Sequence, residues 1–248
     1  MRYFLEIAYD GTNYCGWQYQ PNAITVQEVL TKALHTIIKD NSISLVGCGR
    51  TDTGVHASQF FVHFDTKEIT EDLEFVSFKL NKVLPVDIAV KKLFAVDDKA
   101  HARFSATSRT YQYFIHQQKN PFKEKYSLLL ERKLDLKKMV EAASLLPQFD
   151  DFTSFARLNS NAKTNLCKVF YAHFTETENG LVFEIKANRF LRNMVRSLVG
   201  TLLHVGLNKI TIEEFVNVIN KKNRSEAGES VDGRGLFLTK IEYPFLNE

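Results

Sequence analysis

Between Gly47 and Ala57 the chain reads G-C-G-R-T-D-T-G-V-H-A, a glycine-rich loop with one carboxylate, Asp52, set between Arg50 and His56. Three kinds of chemistry fit those residue types. Asp52 can simply cap a turn, as loop aspartates commonly do. The triplet Asp52-Thr53-Gly54 spells D-T-G, which in an aspartic protease needs two carboxylates sharing a proton. No second D-T-G or D-S-G occurs, so a homodimer would have to supply the partner, and an adjacent guanidinium opposes a shared proton by favouring the ionised form. The third possibility is a single ionised aspartate acting as nucleophile or base at a sugar carbon or similar electrophilic centre. Arg50 would keep it charged, either as an ion pair or as a partner that the substrate displaces. Gly47, Gly49 and Gly54 let the backbone come close to a bulky ligand. His56 is expected to hydrogen-bond backbone rather than to catalyse.

Charge narrows the partner. The net charge is only +3 over 248 residues, but Lys99 to Lys133 holds eight Lys/Arg against Glu124 and Glu131, and no acid lies between Lys186 and Lys209. Such stretches supply the local positive potential that phosphate binding needs, although solvated helix faces are also often basic. Arg189, Arg192 and Arg196 are spaced i, i+3 and i+7, so on a helix they share one side, with Leu191, Val195, Leu198 and Val199 opposite. That arginine side reads as an RNA-phosphate contact, the alternative being a solvated face. Cys15, Cys48 and Cys167 are far apart with no C-x-x-C, which points to reduced thiols in a cytoplasm and no metal site. No signal peptide is expected from the first residues, and no apolar run approaches a membrane span.

These residues need elements to hold them. R-Y-F-L-E-I-A-Y-D reads as a strand, and T-V-Q-E-V-L-T-K-A-L-H-T-I-I-K-D as a helix with Val26, Val29, Leu30, Ala33, Leu34, Ile37 and Ile38 on its apolar side. I-S-L-V-G-C is a short strand entering the loop, and Q-F-F-V-H-F-D a strand leaving it. A helix opened by Thr70 and closed before Pro85 follows, then the strand D-I-A-V-K-K-L-F-A-V-D. The order β-α-β-β-α-β is the split βαβ, or ferredoxin-like, unit. A looser repeat follows: the strand S-R-T-Y-Q-Y-F-I-H-Q, the helix D-L-K-K-M-V-E-A-A-S-L-L and a hairpin turning near Asn179-Gly180. Next come a helix from Phe190 to Gly206, the helix I-T-I-E-E-F-V-N-V-I-N-K-K and the strand G-L-F-L-T-K-I-E-Y. Asn223 to Gly235 is the clearest flexible stretch. The expectation is an α+β chain of two ferredoxin-like halves, 1–103 and 104–248, forming an extended antiparallel sheet with helices on one face.

The loop resembles the signature of the bacterial tRNA pseudouridine synthase I family, the TruA type, in which it reads G-x-G-R-T-D-x-G-V-H-A. The resemblance runs over nearly the whole chain. Y-D-G-T-N-Y-C-G-W-Q (Tyr9 to Gln18), F-S-A-T-S-R-T-Y-Q-Y (Phe104 to Tyr113), D-F-T-S-F (Asp151 to Phe155), N-R-F-L-R-N-M-V-R-S-L-V-G (Asn188 to Gly200), A-G-E-S and G-L-F-L all resemble its motifs. The resemblance implies an isomerase that converts uridine to pseudouridine at nucleotides 38, 39 and 40 of the tRNA anticodon stem-loop. It implies no cofactor or metal and a homodimer in the cytoplasm. Asp52 is then the nucleophile. Its route, by attack on the sugar, attack on the base or a glycal, stays open. Arg50 is implied to prop the gap left by a flipped base. Tyr111 is implied to stack on the target uracil, although its alternation with Tyr113 alone would place it in a core. Leu236 is implied to line the uracil pocket, against the plainer reading of a strand leucine. Two segments depart from the family pattern, Gln148 to Asp150 and Ser230 to Arg234. Rival readings are a non-catalytic RNA-binding module and a synthase with other RNA targets.

Overall fold

The structure is a computed structural model that describes residues 1–157, 164–178 and 180–246. It divides into two compact units, Met1–Thr107 with Leu238–Glu248, and Ser108–Phe237. The fold is α+β, as the sequence predicts. Among the described residues no helix is long and apolar enough to cross a membrane. The three cysteines are free, Cys15 exposed, Cys48 and Cys167 buried.

In the first unit, β1 (Arg2–Tyr9) lies antiparallel between β4 (Ile88–Val96) and β3 (His56–Asp65). The two-residue β2 (Val46–Gly47) flanks β3, giving the split βαβ order β4-β1-β3-β2. Helix α1 (Val26–Ile38) starts where Thr25 Oγ1 accepts the Glu28 amide and ends at Lys39 in a left-handed conformation. It buries Val26, Leu30, Ala33 and Leu34. Helix α2 (Leu73–Val83) opens later than Thr70, because Asp72 is the residue whose carboxylate accepts the Phe75 amide at 2.8 Å. The core holds Leu5, Ile7, Phe60, Val62, Phe64 and Leu80, all at most 1% exposed.

In the second unit β5 (Ser108–His116), β8 (Gly180–Ala187) and β7 (Val169–Thr177) pair antiparallel in that order, with β6 (Leu128–Leu129) parallel to β5. Asn179, at the expected hairpin turn, lies outside the described residues. Helices α3 (Leu136–Ser144), α4 (Met194–Gly206) and α5 (Ile212–Asn220) follow the expected order, α5 closed at its start by a Thr211/Glu214 capping box. The strand β9 (Leu236–Glu242) opens in this unit and continues in the first.

Two expectations are corrected here. Helix α4 begins at Met194, not Phe190, because Asn193 takes a left-handed φ of 69° and Met194 donates its amide to Leu191 O instead of continuing a helix. Arg189 and Arg192 therefore precede the helix, and only Arg196 lies on it, so the three do not share a helical side. The stretch Asn223 to Gly235 is anchored rather than flexible. Gly228 N donates to Thr201 Oγ1 at 2.9 Å, Arg196 Nε to Val231 O at 2.7 Å and Tyr113 Oη to Asp232 O at 2.9 Å.

Candidate active site

The loop from Cys48 to Val55 joins two paired strands, so its ends are fixed by the sheet. Cys48 N donates to Phe61 O at 2.8 Å, and a Cβ on Gly47 would lie 2.7 Å from the Trp17 indole nitrogen. Its middle is held by a second loop, Tyr9 to Gln18, which is the family-like Y-D-G-T-N-Y-C-G-W-Q motif. Trp17 N donates to Thr51 O at 3.2 Å and Gly54 N to Tyr14 O at 3.3 Å. The Tyr9 and Thr51 hydroxyls are hydrogen-bonded at 2.9 Å in a buried setting. The two backbones touch where side chains are missing. A Cβ on Gly11 would stand 2.1 Å from Val55 O, and one on Gly16 2.4 Å from Thr51 O. Gly16 also sits at φ +83°, which glycine alone adopts without cost.

Asp52 is thereby presented half-buried at the loop apex, with Thr51 buried before it and Thr53 exposed after it. Arg50 is exposed, and among the described residues its guanidinium enters no hydrogen bond or ion pair. Of the two roles its spacing allows, the structure therefore shows no Arg50–Asp52 ion pair. His56 is 1% exposed and its Nδ1 accepts the Gly11 amide at 3.0 Å. Asp10 Oδ1 also lies 3.0 Å from that nitrogen. Asp10 meanwhile takes the Thr12 amide and hydroxyl. His56 is thus a backbone anchor, as its loop position predicts. In the Tyr9 to Gln18 loop, burial and a hydrogen bond to Asp87 push the Tyr14 hydroxyl well above the usual phenol range.

The remaining sequence-derived candidates lie in the second unit. Tyr111 is 9% exposed on β5, its ring edge-on to Phe190 at 5.0 Å and 85°. Tyr113 is fully buried beside it in sequence. Leu236 is buried and opens β9 directly after a tight turn, Gly233–Gly235. Gly235 is required there, since a Cβ would meet Phe114 O and the Tyr113 ring, both at 2.8 Å. Arg192 is exposed, while Arg189 and Arg196 are half-buried. Cys167 is buried, which pushes its thiol up to about 11 despite the Arg189 charge. The structure brings Tyr111 together with the arginine-bearing turn through Phe190. Through Arg196 it ties that helix to the segment leading into Leu236.

The D-F-T-S-F motif proves to be architectural. Phe152 and Phe155 are fully buried. Asp151 Oδ1 takes the Thr153 amide and hydroxyl, Lys222 approaches its other oxygen at 3.0 Å, and Ser154 Oγ donates to Val218 O at 2.6 Å. Burial opposes ionisation of Asp151, but these hydrogen bonds from Thr153 and Lys222 hold its carboxyl below the usual range. Tyr9, Gly16, Thr51 and Phe190 lie inside the motifs, but nothing in the sequence gives them a role. The only signal that marked them was their presence in those motifs.

Comparison with known proteins accords with this arrangement. A family model described as tRNA pseudouridine synthase matches residues 7–105 and 149–244, which include the Asp52 loop, the Tyr9 loop and the arginine turn, with Tyr111 between the two matched blocks. The tRNA pseudouridine synthase A of Bacteroides fragilis is 50% identical over 244 residues, 98% of this chain and 96% of that one. That of Parabacteroides distasonis is 48% identical over 243 residues, covering 98% and 96%. That of Bacillus subtilis is 40% identical over 246 residues, covering 98% and 99%. The interlocked loops around Asp52 are therefore those of an enzyme, and the chain belongs to the tRNA pseudouridine synthase family.

Proposed function

We propose that this chain converts uridine to pseudouridine at nucleotides 38, 39 and 40 of the tRNA anticodon stem-loop, with Asp52 as the nucleophile. The observation that carries this reading is the position of Asp52, at the apex of a signature loop clamped at several atoms, in a chain of this family. In the reaction the C1′–N1 bond breaks, the base turns and C1′–C5 forms. The C5 proton leaves and N1 takes one up. Each route to base detachment needs a carboxylate at the glycosidic bond, so Asp52 acts in all of them.

A target inside a stem must be flipped out. Arg50, exposed two residues before Asp52, is the group we assign to the vacated space, where a planar cation stacks and pairs with phosphate. Tyr111 would stack on the uracil and Leu236 would line its pocket. Arg189, Arg192 and Arg196 would meet backbone phosphates, from a turn and the first turn of α4 rather than one helical side. On this reading the half carrying Asp52 supplies the nucleophile, and the half carrying the arginines grips the RNA and supplies Tyr111 and Leu236. The chain would work in the cytoplasm as a homodimer, without metal or cofactor.

Wild type and Asp52→Asn should be incubated with unmodified tRNAs in the presence of a chelator, and pseudouridine mapped by nucleotide. The expected result is pseudouridine at 38 to 40 with wild type only, at equal tRNA binding. Modification elsewhere would assign another target, and modification by the variant would remove Asp52 from the role of nucleophile. Sedimentation of the free protein tests the dimer.

A further inference from the structure

Thr51 and Asp52 share a peptide unit, so whatever fixes Thr51 fixes the backbone from which the Asp52 carboxylate is thrown. Thr51 is held from two directions. Its carbonyl takes the Trp17 amide at 3.2 Å, and its hydroxyl is bonded to Tyr9 Oη at 2.9 Å. The second contact stands apart because its two partners come from different kinds of structure. Tyr9 is the last residue of β1, paired with Ala57 of β3, 4% exposed, and its ring rests on Phe60 at 5.6 Å and 61°. Its backbone is fixed on both sides, since it pairs with Ile88 of β4 as well. Thr51 is a loop residue, 7% exposed. Strand β1 thus reaches past its own end to grip the loop one residue before the nucleophile.

We propose that Tyr9 is a positioning residue for Asp52, setting the carboxylate against the glycosidic carbon through its hydroxyl contact with Thr51. This rests on the reading of Asp52 as nucleophile given above. A buried hydroxyl pair has no water to replace a lost partner, so removing the Tyr9 oxygen takes from the Thr51 side chain a contact that water does not restore. Trp17 and Gly54 still bind the loop backbone, so the loop remains in place but samples a wider range of positions. A carboxylate displaced by a fraction of an ångström still sees its substrate bound normally, because the RNA is gripped elsewhere. It loses rate instead, since near-attack geometry is what intramolecular reactions depend on. Tyr9 therefore belongs to turnover and not to affinity.

The test uses Tyr9→Phe, Thr51→Val, Thr51→Ser and the Tyr9→Phe/Thr51→Val pair, each as full-length protein. Amide exchange is followed at Trp17 and Gly54, whose protons are bonded across the two loops. Tyr9→Phe should speed exchange at those two amides about fivefold, the equivalent of one ordinary hydrogen bond, with β1 and β3 amides unchanged. Single-turnover pseudouridine formation should fall about tenfold or more at saturating tRNA, with the tRNA Kd within twofold of wild type. Thr51→Ser, which keeps the hydroxyl, should restore both readouts. The double variant should lose no more than the worse single one. Uniformly faster exchange across the unit, or a rate loss matched by an affinity loss, would reduce Tyr9 to a fold-stabilising residue and overturn the proposal. So would wild-type rates in Tyr9→Phe. If wild type itself forms no pseudouridine, the assigned reaction fails, while the exchange data still decide whether Tyr9 fixes the loop.

Discussion

Replacing Gly16 with alanine probes the interlocking of the two loops more severely than any polar substitution. Two costs are legible. Alanine at φ +83° is in left-handed backbone, worth about 1 kcal/mol or somewhat more. Its Cβ would also stand 2.4 Å from Thr51 O, where ordinary contact begins at 3.4 Å. The obstacle is backbone on both sides, so no side chain can swing away, and the Thr51–Asp52 peptide must retreat by about 1 Å. That retreat breaks the bond from Trp17 N to Thr51 O, worth a further ~1 kcal/mol. Together the destabilisation is about 2 to 3 kcal/mol, or a fall in Tm of about 4 to 12 °C for a chain of this size. An ångström at the nucleophile costs about a hundredfold in rate. The comparison is Gly49→Ala, in the signature loop itself, where a Cβ would meet nothing within 4 Å. That variant should melt with wild type, and any activity it loses reports crowding of the substrate. Thermal melts and single-turnover assays of the two variants side by side decide the matter. If Gly16→Ala melted with wild type and kept its rate, the loops would not constrain one another and the account of Asp52 positioning would be wrong.

Three further outcomes are expected. His63 is buried, and that burial, with Arg2 and His101 nearby, lowers its pKa from 6.5 to about 4, while Nδ1 accepts the Ala102 amide. The unfolded chain takes up this proton at a higher pH than the fold does. The histidine therefore costs nothing above about pH 6.5, and up to roughly 3 kcal/mol of stability is lost as pH falls toward 4. Chemical denaturation of wild type and His63→Asn between pH 7.5 and 4.5 should show a shallower acid limb in the variant, and parallel limbs would refute this. Gly200→Ala places a Cβ 1.9 Å from Glu229 O, so it should lift the 227–231 segment off α4 and lower stability by about 2 kcal/mol or more, read by thermal melt. Binding of tRNA should weaken by orders of magnitude between about 50 and 200 mM salt, because phosphate contacts release counterions; a flat salt dependence in filter binding would remove the arginines from the interface.

Much of this molecule is readable without coordinates. The period of the apolar residues alone marks α1, because Val26, Leu30, Ala33 and Leu34 recur at the helical interval and do face the core. The β-α-β-β-α-β order of the first half follows from the same local signals, and the loop signature points directly to Asp52. What local signals misplace is where elements begin, since that depends on which side chain captures a free amide. Asp72 takes the role that Thr70 has on paper, and the left-handed turn at Asn193 detaches Arg189 and Arg192 from the helix that their spacing suggests. The polar stretch before Gly235 reads as loose because composition is silent about partners. Thr201, Arg196 and Tyr113 supply those partners from positions far away in sequence. The same limit applies at the site. The sequence by itself determined which carboxylate is the candidate nucleophile, because the signature that marks Asp52 is a contiguous motif. Only the tertiary structure decided what meets the loop that carries it: Tyr9, Gly16 and Trp17 lie more than thirty residues before Asp52 and reach Thr51, its neighbour, through contacts that no periodicity encodes.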